Sequence, residues 1–237
     1  MHLIFRVLLR SVVLCVICQA LATTALAGML GDPVPRQRVL HPRFELAGDS
    51  FKEEMNGLND TIEATTGRGL VSVALGLTDW SEVYVRAGLA EFNVRGLGFS
   101  GDFGLAYGGG ARVRLLRLSW GSVGLAGQYL RFTSDDNNNA LRDATWEEMD
   151  IALGVGSRRF GAFQFYGGGA YHKSDVTIRD RRSNTNTTID SKIPGRLFLG
   201  VHIYPLADFP GGEFVVNVEA RVIGETPQIT MGLQYAF

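Results

Sequence analysis

Gln228-Ile-Thr-Met-Gly-Leu-Gln-Tyr-Ala-Phe237 closes the chain, and its reading decides the fold. Ile229, Met231, Leu233, Tyr235 and Phe237 alternate with Gln228, Thr230, Gly232, Gln234 and Ala236. Successive side chains of a strand point to opposite faces, so this spacing gathers the large apolar groups on one side and ends on an aromatic ring.

The same period recurs upstream. In the clearest segment, Val83, Val85, Ala87 and Leu89 face one way and Glu82, Tyr84, Arg86 and Gly88 the other. Apolar rows of the same kind are Val71, Val73, Leu75 and Leu77; Phe103, Leu105, Tyr107, Ala111, Val113 and Leu115; and Val123, Leu125 and Tyr129. Further rows are Met149, Ile151, Leu153 and Val155; Phe163, Phe165 and Tyr171; Leu197, Leu199, Val201 and Ile203; and Phe214, Val216, Val218, Ala220 and Val222. With a weaker strand around Phe44 and Leu46, the pattern predicts about ten strands. Eight is the rival if residues 224–227 continue one strand through a bulge.

Connection lengths alternate as well. Short turns are expected at 78–81, 116–120, 157–161 and 205–212, and longer polar segments at 49–68, 93–102, 133–144 and 180–192. Residues 1–27 carry Arg6 and Arg10, an apolar run from Ser11 to Leu26, and Ala25 and Ala27 in the spacing cut by a signal peptidase; they read as a cleaved export signal. Cys15 and Cys18 both lie within it, so residues 28–237 can form neither a disulfide nor a cysteine-ligated metal site. The formal charge of −1 becomes −3 without Arg6 and Arg10, which gives no basic excess for nucleic acid. Beyond the leader, no apolar run approaches the roughly 20 residues of a membrane helix. Period-two segments behind an export signal, with short and long connections in alternation, predict an all-β, antiparallel up-and-down transmembrane β-barrel over residues 28–237.

Gly76-Leu-Thr-Asp-Trp-Ser-Glu-Val-Tyr-Val-Arg86, the glycine-rich Tyr107-Gly-Gly-Gly-Ala-Arg112 and the terminal Gln234-Tyr-Ala-Phe237 resemble the small Gram-negative outer-membrane barrels of the opacity-protein and OmpA-barrel type. That resemblance implies an outer-membrane location. It also implies that Leu233, Tyr235 and Phe237 form the signal read by the barrel-assembly machinery.

The face opposite the apolar rows is small or charged. Glycine and alanine alternate there with Glu45, Glu82, Arg86, Arg112, Arg114, Glu148, Asp150, Arg196, Glu219 and Arg221. A lumen of one sign would suggest a selective path. Near-balanced acids and arginines suggest a network of ion pairs that fills a narrow interior. The expected role is therefore a surface-exposed structural or interaction barrel with a plugged or narrow lumen, contacting outer-membrane lipid and an external ligand that the sequence does not identify. A small-solute, porin-like channel is the alternative, and a lipid A-modifying enzyme the distant one.

Candidate chemistry is sparse, and neither enzymatic activity nor a cofactor is expected. His172-Lys-Ser174 is similar to the His-x-Ser motif of outer-membrane lipid A deacylases, but its parity points both side chains into the lumen, away from lipid. An omptin-like protease would need paired acids and a His–Asp couple at the outer rim; Asp135, Asp136 and Asp175 lie near it without a marking spacing. Asp135-Asp-Asn-Asn-Asn139 reads as a solvated turn, since it lacks the glycine and glutamate of a calcium loop. The glycine triplets at 108 and 167 are not followed by Lys-Ser/Thr and are not phosphate loops. His41, His172 and His202 give no metal-ligand spacing.

Overall fold

The structure, a computed structural model, describes residues 31–36, 39–57, 61–192, 194–204, 212–223 and 226–237. The leader expected at 1–27 and most of the turn expected at 205–212 lie outside the described residues.

In chain order the strands are β1 (Pro42–Asn56), β2 (Thr61–Thr78), β3 (Ser81–Val94), β4 (Phe99–Ser100), β5 (Gly104–Arg117), β6 (Gly121–Asp135), β7 (Arg142–Ser157), β8 (Phe163–Asp180), β9 (Thr185–Ser191), β10 (Gly195–Ile203), β11 (Glu213–Ile223) and β12 (Thr226–Ala236). They form one antiparallel sheet that closes on itself, because β1 pairs with β12 through Phe44 opposite Tyr235 and Leu46 opposite Leu233. Two strands add no stave: β4 only extends the outer end of β3, and β9 pairs with β8 above the stretch where β10 does. Ten staves remain.

Accessibility decides which face is inside. Val85, Leu105 and Leu199 are each about two-thirds exposed, whereas Glu82, Asp150 and Glu219 are fully buried. A closed sheet that turns aliphatic rows outward and carboxylates inward is stable when hydrocarbon surrounds it, since every backbone group is paired and no edge remains. Outward rings sit at both borders of the aliphatic band. Tyr107, Tyr129 and Tyr171 mark the outer border, and Phe163, Phe165, Phe237 and Trp80 the periplasmic one. Phe163 and Tyr171 are separated by about 27 Å of strand, which suits a tilted stave crossing an outer membrane.

Above that band the barrel continues, and its polarity inverts. Along β3 the outward row runs Val83, Val85, Ala87, Leu89 and then Glu91 and Asn93, while the inward row runs Glu82, Tyr84, Arg86 and then Ala90, Phe92 and Val94. β7 does the same in the other direction, with Asp143, Thr145 and Glu147 outside and Ala144 and Trp146 inside, before Met149 and Glu148 restore the membrane arrangement. In water the wall must hide its apolar groups in the lumen; in lipid it turns them out.

Two expectations need correction here. Most of the long polar segments are strand: β1 and β2 reach Asn56 and Thr61, β6 and β7 reach Asp135 and Arg142, and β8 with β9 forms a hairpin across 180–192. Nor is the interior charged throughout, since its outer half is an apolar core.

Candidate functional site

Inward groups gather at three levels along the barrel axis. At the periplasmic mouth, residues 31–36 enter the barrel as a strap. Gly31 N–H donates to Glu219 Oε2 at 2.9 Å, and Asp32 accepts the Val34 N–H at 2.9 Å while lying 3.7 Å from His202 Nε2. Room for it comes from glycine on the inward rows of β6 and β7. A Cβ at Gly124 would meet the Pro33 carbonyl oxygen at 2.4 Å, and one at Gly154 the Pro33 ring at 2.9 Å.

Above the strap lies a network of buried ion pairs. Glu82 Oε1 takes Arg43 at 2.6 Å and Arg112 at 2.7 Å, and the Arg112 guanidinium stacks on Tyr84 with its centre 4.5 Å from the ring centroid. Tyr84 OH donates to Gln128, which donates in turn to Asp150 Oδ2 at 2.7 Å. Asp150 Oδ1 lies 2.7 Å from His172 Nδ1, and His172 Nε2 and Arg196 both approach Glu53 Oε1, at 3.2 and 3.1 Å. Arg68 joins Asp49 at 2.7 Å to Glu148 at 2.6 Å, and Arg221 holds Glu219 at 2.9 Å. Charges removed from water in this way persist only when paired, and here nearly every acid meets a cation.

The third level is the apolar core of the outer half. Phe92 stacks on Phe99 at 4.9 Å and Phe132 on Trp146 at 5.7 Å, with Phe51, Met55, Val94, Val176, Ile178 and Ile189 packed around them. Phe99 comes from β4, so the β3–β5 connection folds inward as a lid, and Arg142 fixes it by donating to the Leu97 carbonyl at 3.2 Å. Arg68 marks the boundary below, with its guanidinium 4.7 Å from the Phe51 ring centroid and its nitrogens on Asp49 and Glu148.

Of the lumen residues expected from sequence, Glu45, Glu82, Arg86, Arg112, Glu148, Asp150, Arg196, Glu219 and Arg221 are buried inside the barrel. Arg114 lies apart, half-buried at the periplasmic mouth and donating to the Asp79 and Pro35 carbonyls. Arg43, Asp49, Glu53, Arg68, His202 and Asn217 are equally buried and were not expected. Leu233, Tyr235 and Phe237 lie on the outward row of β12, where Phe237 packs edge-on against Tyr235 at 4.8 Å and Phe44 at 5.9 Å.

The side chains of the candidate chemistry each have partners in the structure. Ser174 and His172 are both fully buried, but the Ser174 hydroxyl donates to Glu53 at 3.1 Å rather than to the imidazole. A histidine that already spans two carboxylates is not a base poised on that serine. Glu148, Asp150 and His172 bring three ligand atoms within 4.8 Å of one another, and the same three side chains also contact Arg68, Gln128 and Glu53. Asp136 closes an Asx turn by accepting the Asn138 N–H at 3.0 Å and pairs with Arg142 at 3.2 Å; Asp135 and Asp175 lie near Arg181 and Lys173.

The profile of the family described as outer membrane protein beta-barrel domain matches residues 69–208. No curated protein matches the sequence. Among solved structures, it is similar to the outer membrane protease OmpT of Escherichia coli (12% identity, 84% of this chain and 97% of that one, TM-score 0.46). It is also similar to AlkL in lipid bilayers (14%, 91% and 96%, 0.42) and to the CymD monoaromatic hydrocarbon channel (11%, 85% and 88%, 0.30). The family match runs from the middle of β2 past the end of β10, over staves whose aliphatic rows face outward; the chain belongs to the outer membrane protein beta-barrel family and resides in the outer membrane.

Proposed function

We propose that this protein is a closed, non-enzymatic barrel that holds a rigid, strand-built head above the outer membrane for contact with external partners. The observation that carries this reading is the triple filling of the lumen by strap, ion pairs and aromatic core. A diffusion channel needs a continuous wet path, and each of these layers stands across it. The His172–Ser174 arrangement supports no acyl transfer, because its serine hydroxyl is bonded to a carboxylate beneath the apolar core. The terminal row Leu233, Tyr235 and Phe237 is the expected contact for the barrel-assembly machinery during insertion.

Planar-bilayer recording of the purified barrel tests the closed lumen. Silence at moderate voltage is expected; large, steady conductance steps would establish the channel reading instead. Loss of a lipid A acyl group on expression in a Gram-negative host would overturn the non-enzymatic part.

A further inference from the structure

We propose that the periplasmic mouth carries a binding cleft for a small organic carboxylate. A cavity of about 310 Å³ opens there between the strap and the inner ends of β5 to β8, with Arg36, Arg114 and Arg159 around it. Tyr204 lies between two of these cations, its ring centroid 3.9 Å from the Arg159 guanidinium centre and 5.2 Å from that of Arg36.

Charge favours an anion. Among the lining residues the three guanidiniums face one carboxylate, Glu213, which is half-exposed and already bound to Arg159 at 2.7 Å. The nearby Asp32 is turned toward His202 and the Val34 N–H. Arg114 Nε is buried with no acceptor, so a donor is in place for an incoming oxygen. Arg117 at the end of β5 and Arg158 in the turn after β7, both exposed, add a field that draws anions to the mouth.

Shape then narrows the class. A guanidinium presents a planar fork that matches a carboxylate, and Gln164 and Ser122 line the same space with neutral polar groups. At about 310 Å³ the cavity is larger than a bare inorganic ion fills, and Val34, Pro35 and Tyr204 back it as buried residues. A carbon body with one or two carboxylates fills that volume while its oxygens meet the guanidiniums. Because Val34, Pro35 and Arg36 belong to the strap, such a ligand would also tie the strap to the wall. The carboxylate could be a free periplasmic solute or one borne by the cell-wall polymer, and the chemistry of recognition is the same.

The test uses the full barrel in detergent, with folding checked by heat-modifiable gel mobility. Calorimetric titration with succinate and, separately, inorganic phosphate should show saturable succinate binding and phosphate at least about tenfold weaker. Arg159→Gln should weaken succinate about tenfold or more, the scale of one charged hydrogen bond. Ser122→Phe fills the cleft while leaving every arginine in place and should abolish binding. Co-sedimentation with purified cell-wall sacculi separates the sources: pelleting that succinate competes away assigns the polymer, and succinate binding without pelleting assigns a free solute. Absence of both, phosphate bound as well as succinate, or binding that survives Ser122→Phe would overturn the proposal.

Discussion

Trp146 and Glu148 are successive inward side chains of β7, both buried, yet the indole stacks on Phe132 and the carboxylate binds Arg68. The boundary between an apolar core and an ion-pair network falls between them. On the outer surface the same boundary falls between Glu147, which approaches Arg131 at 3.3 Å, and the lipid-facing Met149. One level along the barrel axis therefore reverses both faces of the wall, as expected where its surroundings change from water to hydrocarbon.

Trp146→Ala should empty the centre of the outer core. Removing a fully buried indole costs about 3–5 kcal/mol, and the loss should fall mainly on the part above the membrane. The expected result is rapid proteolytic nicking of the outer ends of β6 and β7, with the heat-modifiable gel shift of the membrane-embedded part retained.

Glu82 is fully buried and its Oε1 meets both the Arg43 and the Arg112 guanidinium. Glu82→Gln removes the carboxylate that the two guanidiniums share, which costs about 3–5 kcal/mol. Urea unfolding in lipid vesicles should show the midpoint falling with the slope unchanged.

Gly124 faces the strap so closely that a Cβ there would lie 2.4 Å from the Pro33 carbonyl oxygen. Gly124→Val should displace the strap without opening the aromatic core above. A cysteine placed at Val34 reports this, because the sequence has cysteines only at positions 15 and 18. Maleimide labelling should be slow with glycine at 124 and at least about tenfold faster with valine, a difference of the size expected when local burial is lost.

Ser174 and His172 differ in what their removal leaves behind. Ser174→Ala deletes one hydrogen bond to Glu53, which Arg196 still neutralises, and should cost about 1 kcal/mol. His172→Ala strips a partner from both Asp150 and Glu53 and should cost about 3 kcal/mol or more. Equal effects in urea unfolding would show that the two act as one unit.

Much of the barrel was legible because lipid-facing rows are aliphatic and strictly periodic: the rows at 83–89, 149–155 and 197–203 need no structure to be seen. Residues 49–68 and 133–144 read as loops for a physical reason. Above the membrane the outward row is polar, so Lys52, Glu54, Glu63 and Glu147 break the apolar pattern while Phe51, Met55 and Trp146 keep the same period on the opposite face. The alternation persists there with its sign reversed. Parity also placed the charged residues of the membrane-level strands, but Asp49, Glu53 and Arg68 were hidden inside those segments. The strap at 31–36 carries no periodic signal, and only the glycines opposite it hint at a visitor in the lumen.

The reversal of polarity along β7 is the central claim, and spin labels placed one at a time at the outward positions Asp143, Thr145, Glu147, Met149, Ile151, Leu153 and Val155 test it most directly. In vesicles, labels at 151, 153 and 155 should collide readily with oxygen and poorly with a water-soluble nickel chelate, and labels at 143, 145 and 147 should do the opposite, with the crossover at Met149. Uniform lipid-like or uniform aqueous accessibility along the whole row would contradict the account.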